Sequence, residues 1–285
     1  MRINHNISAM ITQASLFKVN RDLSKNLEKL STGLRVNRAS DDAAGLGVSE
    51  NLRTQVRGTA QAKKNAQDGI AAITIAEGAA NEVSSILQRM RELAIQASND
   101  TLTSTERNYT NQDFGHLWEE IDRIAAVTNY NGMDLLSNNT APGQRFGAGS
   151  VGSALWIDAN ETYGLDSITI TIDTLTANSN GLSLTDNNLV TQSNANLAIT
   201  ALDQAINSVN TMRSNMGAFI NRLEHAINNL DISNTNQQAA ESMIRDVDFA
   251  SETADYTKNQ ILTQSATAML AQANMVPQSV LQLLS

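Results

Sequence analysis

Few residues in this 285-residue chain could do chemistry, and their spacing does not bring them together. Residues 147–152 read GAGSVG, which matches the Gly-x-Gly-x-x-Gly pattern of a dinucleotide-binding loop. That loop needs a strand before it and a helix after it, whereas here a loop-like segment comes first and a strand pattern follows. The surrounding sequence therefore argues against a nucleotide site.

Paired carboxylates are the next candidates for catalysis. Asp41-Asp42 and Glu119-Glu120 are adjacent in sequence, so on a helix their side chains point about 100° apart and do not converge on one substrate. We interpret the first pair as a helix cap and the second as part of a solvated helix face. Histidine occurs at three widely separated positions, in no metal-binding motif: His5, His116 and His225.

Composition narrows the function classes further. The chain has no cysteine, which excludes disulfides, thiolate metal sites and a cysteine nucleophile. Its formal net charge of −9 argues against nucleic acid as a partner, because phosphates need a basic surface. No run of about 18 apolar residues is present, and polar residues interrupt the N-terminal stretch where a signal peptide would need its apolar segment. We predict no enzymatic activity, no metal and no cofactor, and we expect neither nucleic acid nor membrane as a partner.

The elements that must position these residues are mostly long helices, because only 4% of the residues are aromatic and only two are prolines. The pattern predicts helices at about 8–30, 41–98, 104–127, 196–230 and 239–274. Gly115 is expected to break or strain the third helix, a polar link at 233–238 to separate the last two, and Pro277 to stop or bend the last. Alternating residues predict strands at 154–158 and 167–174, with a further short strand around 182–184 left open.

Apolar residues recur in steps of three and four in both halves of the chain, which is typical of helices that pack lengthwise on each other. Shorter stripes of the same kind occupy residues 23–34 and 262–276. Stripes at both ends indicate that the termini meet each other or copies of themselves, which favours assembly over catalysis. The central stripes are expected to form a buried helical core from Ile70, Ile73, Val83, Leu87, Met90, Leu202, Ile206, Val209, Met216, Ile220, Leu223 and Ile227.

Four long motifs carry a resemblance to a known family. The segment at 30–58 begins LSTGLRVNRASDDAAG, and the segments at 66–99 and 119–137 continue the same pattern. Together they resemble the N-terminal region of bacterial flagellin, and residues 241–285 resemble its C-terminus. The resemblance implies a mainly α fold, namely a long helical rod whose N- and C-terminal helices pair as a coiled coil, with a small β-hairpin region in the middle.

The resemblance also implies a domain organisation. Residues 1–43 and 244–285 are expected to form the terminal coiled-coil domain in the filament core. Residues 44–243 are expected to form the helical rod domain, with its β segment at about 154–184. Larger family members carry extra domains in the middle, and this chain has no room for them. The residues expected to pack in the filament core are Leu23, Leu27, Leu30, Leu34, Ile261, Leu262, Ala266, Met269, Leu270 and Ala273.

The function that the resemblance implies is a structural subunit that polymerises into the bacterial flagellar filament for swimming. A hook–filament junction protein is the first alternative, and a cytosolic signalling coiled coil is a weaker one. The implied partners are other copies of the chain, a flagellar export chaperone and the filament cap. The implied location is the extracellular filament, reached without a cleaved signal peptide. Arg89, Leu93 and Asp113 resemble the patch that an animal Toll-like receptor contacts, which makes that receptor a further candidate partner.

Overall fold

The computed structural model describes residues 6–137, 146–147, 152–159, 166–177, 181–184 and 188–284, with side chains as far as 275. The chain divides into two compact units. The terminal unit contains Met1–Val56 and Thr235–Ser285, and the central unit contains Arg57–Asn234. The mainly α fold with paired terminal helices and a small β region is confirmed.

Helix α1 (Ile7–Thr32) has a capping residue at each end. The side chain of Asn6 accepts a hydrogen bond from the backbone N–H of Ala9 at 3.1 Å, which satisfies one of the free donors of the first turn. Gly33 ends the helix with φ of 73°, a left-handed conformation that glycine adopts without steric cost. The predicted break after residue 30 is therefore present, and the helix ends at this glycine.

Helices α2 (Ala43–Ala97) and α3 (Ser104–Val127) follow. Thr103 and Glu106 form a reciprocal capping box that starts α3. The expected break at Gly115 is wrong, because α3 runs through that residue without interruption. Phe114 and Ile121 are buried on either side of it, so packing holds the helix together where local propensity is weak.

The last two helices differ from the sequence-based expectation. Helix α4 (Gln192–Arg245) continues through residues 233–238, and α5 (Phe249–Leu284) continues through Pro277. The predicted polar link is helical, and Asn234 on it donates a side-chain hydrogen bond to Thr59 at 2.9 Å. The break lies instead at residues 246–248, where Asp248 accepts a hydrogen bond from the N–H of Ala250 at 3.0 Å and so caps α5.

The described strands form two small antiparallel pairs. Strands β1 (Asn129–Tyr130) and β2 (Met133–Asp134) are joined by Asn131 and Gly132, both at positive φ, as a tight two-residue hairpin requires. Strands β3 (Ser153–Trp156) and β4 (Ser167–Ile170) pair with Ser153 opposite Ile170. They are shorter than predicted, and residues 182–184 form no strand. Of the loop between β3 and β4, residues 160–165 lie outside the described part of the chain.

The core of the central unit lies between α2, α3, α4 and the segments around β4. Ion pairs place α2 antiparallel to α4, since Lys63 lies 2.7 Å from Asp231 and Arg91 lies 2.6 Å from Asp203. One window of α2 has the length and composition of a membrane span, and 39% of that window is buried inside the protein. The residues of the predicted core are buried at Ile73, Val83, Leu87, Met90, Leu202, Val209, Met216 and Leu223 and partly buried at Ile70, Ile206, Ile220 and Ile227.

Candidate assembly surface of the terminal helices

Helices α1 and α5 of the terminal unit pack side by side and antiparallel. At one end, the side chain of Asn6 donates to the backbone carbonyl of Ala273 at 2.8 Å. At the other end, Lys29 Nζ lies 3.5 Å from Glu252 Oε2, and both side chains are largely covered. The two ends of the sequence therefore do meet within one chain.

The row that α1 turns towards α5 is mostly apolar, whereas the row that α5 turns towards α1 is mostly small or polar. They follow steps of three and four and are less exposed than their neighbours, as a coiled-coil seam requires. The row on α1 is Ala9, Thr12, Leu16, Val19, Leu23, Asn26 and Leu30. The row on α5 is Tyr256, Asn259, Thr263, Ala266, Leu270 and Ala273.

Large apolar side chains lie outside this seam and face solvent on both helices. Phe17 is 68% exposed and Met269 is 62% exposed, which is unusual for residues of this size. Single exposed apolar residues are common, whereas several on two adjacent helices are typical of an interaction surface. We define the apolar outer set as Ile7, Met10, Ile11, Phe17, Leu27, Phe249, Ile261, Leu262, Met269 and Met275.

The ten residues expected in the filament core fall into two groups. Six are partly covered in the single chain, and five of these belong to the seam: Leu23, Leu30, Leu34, Ala266, Leu270 and Ala273. The other four belong to the apolar outer set and are exposed: Leu27, Ile261, Leu262 and Met269. Intramolecular pairing therefore leaves the second group available for other contacts.

Two backbone hydrogen bonds connect the break between α4 and α5 to the break after α1. This contact was not predicted from the sequence. The N–H of Arg35 donates to the carbonyl of Arg245 at 2.7 Å, and the N–H of Val247 donates to the carbonyl of Gly33 at 3.0 Å. The Arg245 side chain, which is 14% exposed, reaches Glu50 at 2.7 Å. We call this arrangement the helix-break clasp. The sequence signals for this break are Asp246 and Asp248. Both are typical helix-capping residues, but no glycine or proline lies nearby.

The paired carboxylates considered for catalysis have structural roles in the described part of the chain. Asp41 Oδ2 accepts from the N–H of Arg38 at 3.1 Å, and Asp42 Oδ1 accepts from the N–H of Gly45 at 2.8 Å at the start of α2. The Arg38 hydrogen bond is the main cause that lowers the pKa of Asp41. Glu120 is paired with Arg123 at 2.6 Å, and that hydrogen bond lowers the pKa of Glu120.

The remaining candidate sites do not assemble. Among the described residues, no three metal-ligating side chains of histidine, aspartate or glutamate cluster. His116 and His225 are exposed, and His5 lies outside the described residues. In the GAGSVG segment only Gly147 and Gly152 are described, both at positive φ beside β4. Strand β3 begins directly after Gly152, whereas a dinucleotide-binding loop is followed by a helix.

The three residues of the receptor-like patch differ in exposure. The Arg89 side chain is 61% exposed and lies 2.7 Å from Glu92, and Asp113 is exposed on α3. Leu93 is only 3% exposed, because it belongs to the core of the central unit. In the single chain, the surface of this patch therefore consists of charged groups and not of a leucine.

Comparison with known proteins agrees with an assembly surface made from the two ends of the chain. Residues 3–141 match the bacterial flagellin N-terminal helical region, and residues 199–284 match the bacterial flagellin C-terminal helical region. The chain belongs to the bacterial flagellin family. It is a short form, in which only residues 142–198 separate the two matched regions.

Several relatives match this chain over their whole length. Flagellin FlaB2 of Treponema pallidum (strain Nichols) is 46% identical over 290 residues, covering all of both chains. The flagellar filament 33 kDa core protein of Treponema phagedenis is also 46% identical with full coverage of both chains. A flagellin of Halalkalibacterium halodurans is 45% identical over 284 residues, again over both whole chains. This flagellin is therefore a structural filament subunit, and these relatives give no support to a hook–filament junction protein.

Proposed function

We propose that this flagellin polymerises through the terminal unit, with the apolar outer set packed against neighbouring copies. The observation that carries the proposal is the division of residues between α1 and α5. The seam inside the chain covers Leu23, Leu30 and Leu270 together with small and polar side chains. Four further large apolar residues remain exposed outside it: Phe17, Ile261, Leu262 and Met269. Burying a large apolar side chain stabilises a contact by about 1.5–3 kcal/mol at most, so a few per subunit hold a helical polymer.

Polymerisation of the purified protein tests this proposal. Raising the concentration or adding a salting-out salt strengthens apolar burial, so long filaments should appear in electron micrographs and in the pellet after centrifugation. Circular dichroism of the soluble fraction provides the control, because the monomer must be helical before failure to polymerise has meaning. A helical monomer that forms no pelletable polymer under any of these conditions would refute the proposal.

The domain organisation in the filament is part of the same proposal. Residues 1–43 and 244–285 line the filament core, and residues 44–243 form the helical domain around it, with the β segment at about 154–184 outermost. Exposure of apolar residues on α1 and α5 supports the inner position. Antibody against a short tag inserted between residues 178 and 188 should decorate intact filaments. An inner position of this segment would leave the filaments undecorated.

Export and partner binding are proposed on the family resemblance. The chain is exported without a cleaved signal peptide, binds an export chaperone beforehand and assembles beneath a filament cap. The exposed residues of α5 support a chaperone, because an uncovered apolar surface would otherwise aggregate in the cell. The subunit has no catalytic activity. The intact mass of filament-derived protein tests the export proposal, since cleavage of a signal peptide would remove some 15–30 residues.

Binding to an animal Toll-like receptor is a second candidate function. The exposed guanidinium group of Arg89 supports it, because such a group recognises a partner through directional hydrogen bonds. Leu93 lies in the core of the central unit, so its side chain is not available for a receptor contact in the single chain. Reporter cells that carry the receptor should respond to the wild-type monomer and less to Arg89→Ala. If the wild-type monomer produces no response, the receptor proposal fails and the proposed filament function is not affected.

A further inference from the structure

The described methionines differ in exposure between the two units of the chain. Those of the central unit lie in its core or are partly buried: Met90, Met133, Met212 and Met216. Those of the terminal unit are between 60% and 81% exposed: Met10, Met243, Met269 and Met275. A reagent that attacks methionine therefore reaches the terminal unit and spares the core of the central unit.

Three of the exposed methionines lie near one contact between α1 and α5. The side chain of Asn6 donates to the backbone carbonyl of Ala273 at 2.8 Å. Met10 follows Asn6 by four residues and Met269 precedes Ala273 by four, so in this antiparallel pair both lie about one turn along in the same direction. Met275 lies two residues beyond Ala273. All three belong to the apolar outer set, and we call them the methionine cluster.

The thioether side chain is suited both to an assembly contact and to its chemical control. It is flexible, apolar and polarisable, so it adapts to the irregular surface of a partner. It is also the only sulfur group in this chain, which has no cysteine. Oxidation to the sulfoxide makes the same side chain polar, and burying it without a hydrogen-bond partner then costs free energy. One reaction therefore turns a residue that favours burial into one that opposes it.

We propose that the methionine cluster is a sulfoxidation site for peroxides, and that its oxidation reversibly blocks polymerisation. The inference rests on the proposed function, because that function assigns these side chains to contacts between subunits. The polymer covers the cluster, so the peroxide acts on subunits that have not yet assembled. Filaments that already exist keep their contacts.

The reaction needs no protein group other than the thioether. A lone pair of the sulfur attacks one oxygen of hydrogen peroxide, and an S–O bond forms while the O–O bond breaks. The leaving hydroxide takes the proton of the transferred oxygen and departs as water. Methionine loses two electrons, and the peroxide gains them. Methionine sulfoxide reductases reverse the change with a thiol reductant, so that the oxygen leaves as water and the thiols become a disulfide.

Partial oxidation of the wild-type monomer, followed by polymerisation, tests the inference. The monomer is treated with hydrogen peroxide, the reaction is stopped with free methionine, and polymerisation is then induced. Mass spectrometry of peptides from the pellet and the supernatant gives the sulfoxide fraction at each position. We expect sulfoxide in the methionine cluster to be enriched in the supernatant by at least about fivefold. Separation of α1 from α5 in the monomer would only expose these side chains further, so the result does not depend on that pairing.

Met243 is the internal control, because it is 81% exposed but belongs to α4 and lies outside the apolar outer set. We expect its sulfoxide to divide equally between pellet and supernatant. An equal division at all four positions would overturn the inference, because sulfoxide would then have no effect on assembly. The same enrichment at all four would also overturn it, because any exposed sulfoxide would then act alike.

Leucine variants provide a second test, since leucine keeps the volume and is not oxidised by peroxide. Peroxide should raise the concentration that the wild type needs for polymerisation by at least about tenfold. The triple variant Met10→Leu, Met269→Leu, Met275→Leu should polymerise equally well before and after treatment, whereas Met243→Leu should stay as sensitive as the wild type. Equal sensitivity of the triple variant and the wild type would overturn the inference. If the triple variant does not polymerise untreated, the division of sulfoxide in the wild type decides.

Reduction and protection complete the experiment. Treatment of the oxidised wild type with both reductases should restore polymerisation, and a loss that persists after the sulfoxide is removed would overturn the inference. Filaments treated with the same peroxide should remain intact and contain at least about tenfold less sulfoxide in the methionine cluster than the monomer. Equal oxidation of filament and monomer would overturn the inference, because the cluster would then be uncovered in the polymer.

The untreated wild type separates this inference from the proposed function. If it does not polymerise, the proposed function fails and the inference fails with it. If it polymerises and sulfoxide in the methionine cluster divides as it does at Met243, only the inference fails.

Discussion

Arg245, the last residue of α4, places its Nη1 atom 2.7 Å from Oε1 of Glu50 on α2. The arginine side chain is largely covered, and its backbone carbonyl accepts from the N–H of Arg35 in the helix-break clasp. The Arg245 hydrogen bond lowers the pKa of Glu50 below its ordinary value of 4.5. One residue therefore connects the end of α4 to both the break after α1 and the start of α2.

This ion pair predicts a defined pH dependence for the terminal unit. A carboxyl group whose pKa is lowered by folding stabilises the folded state above its unfolded pKa, and that contribution is lost as the pH falls through the folded pKa. Glu50→Gln should therefore lower Tm at pH 7, and the difference from the wild type should shrink as the pH falls below 4.5. Thermal unfolding followed by circular dichroism from pH 7 to pH 3 measures it.

Glu92→Gln is the control for that experiment, because Glu92 belongs to an exposed pair with Arg89 three residues away on the same helix. Exposed pairs of this kind contribute little to stability. We expect no resolvable change in Tm at any pH. A Glu50→Gln variant whose Tm difference is the same at pH 7 and pH 3 would contradict the assigned role of the ion pair.

Two glycines of α2 should respond in opposite directions to the same substitution. A Cβ atom at Gly58 would lie 2.5 Å from Cβ of Ala159, beyond β3, whereas the space around Gly78 is open. Gly78→Ala should raise the free energy of unfolding by about 0.5–1 kcal/mol through helix propensity. Gly58→Ala should lower it by about 1–3 kcal/mol, because the short alanine side chain cannot rotate away.

Urea denaturation of the two alanine variants measures both effects. Each variant makes the same chemical change in the same helix, so a difference between them reports the contact with the β3 segment. Equal stabilisation of the two variants would show that Ala159 yields to a side chain at residue 58 at no cost.

Local signals in the sequence predict most helix ends well. Gly33 ends α1, and the capping pair Thr103 and Glu106 starts α3 at the residue expected. The break at residues 246–248 has only the capping residues Asp246 and Asp248 as local signals, and the clasp that holds it joins residues about 210 positions apart in sequence. Conversely, residues 233–238 look like a linker by composition, but they are part of a helix that Asn234 joins to Thr59.

The assembly surface of α1 and α5 could also be predicted only in part from the sequence. An apolar stripe predicts that Leu262 and Met269 pack on a helix, and it does not say whether that helix belongs to the same chain. In the structure both residues are exposed, and Thr263 and Leu270 face α1 instead. The seam also contains Asn26 and Asn259, which lie 3.2 Å apart through a side-chain hydrogen bond that periodicity of apolar residues does not detect.

Leu262 provides the most direct test of the apolar outer set. It is 41% exposed in the single chain, so Leu262→Asp should leave the helical monomer intact. In a polymer the aspartate would be buried against a neighbour without a partner charge, at a cost of about 3 kcal/mol or more. The concentration needed for polymerisation should therefore rise by roughly a hundredfold, since each 1.4 kcal/mol is a factor of ten.

Leu262→Met keeps the volume and should polymerise as the wild type does. Sedimentation over a range of concentrations measures all three proteins, and ordinary filaments from Leu262→Asp would place this residue outside the subunit contacts.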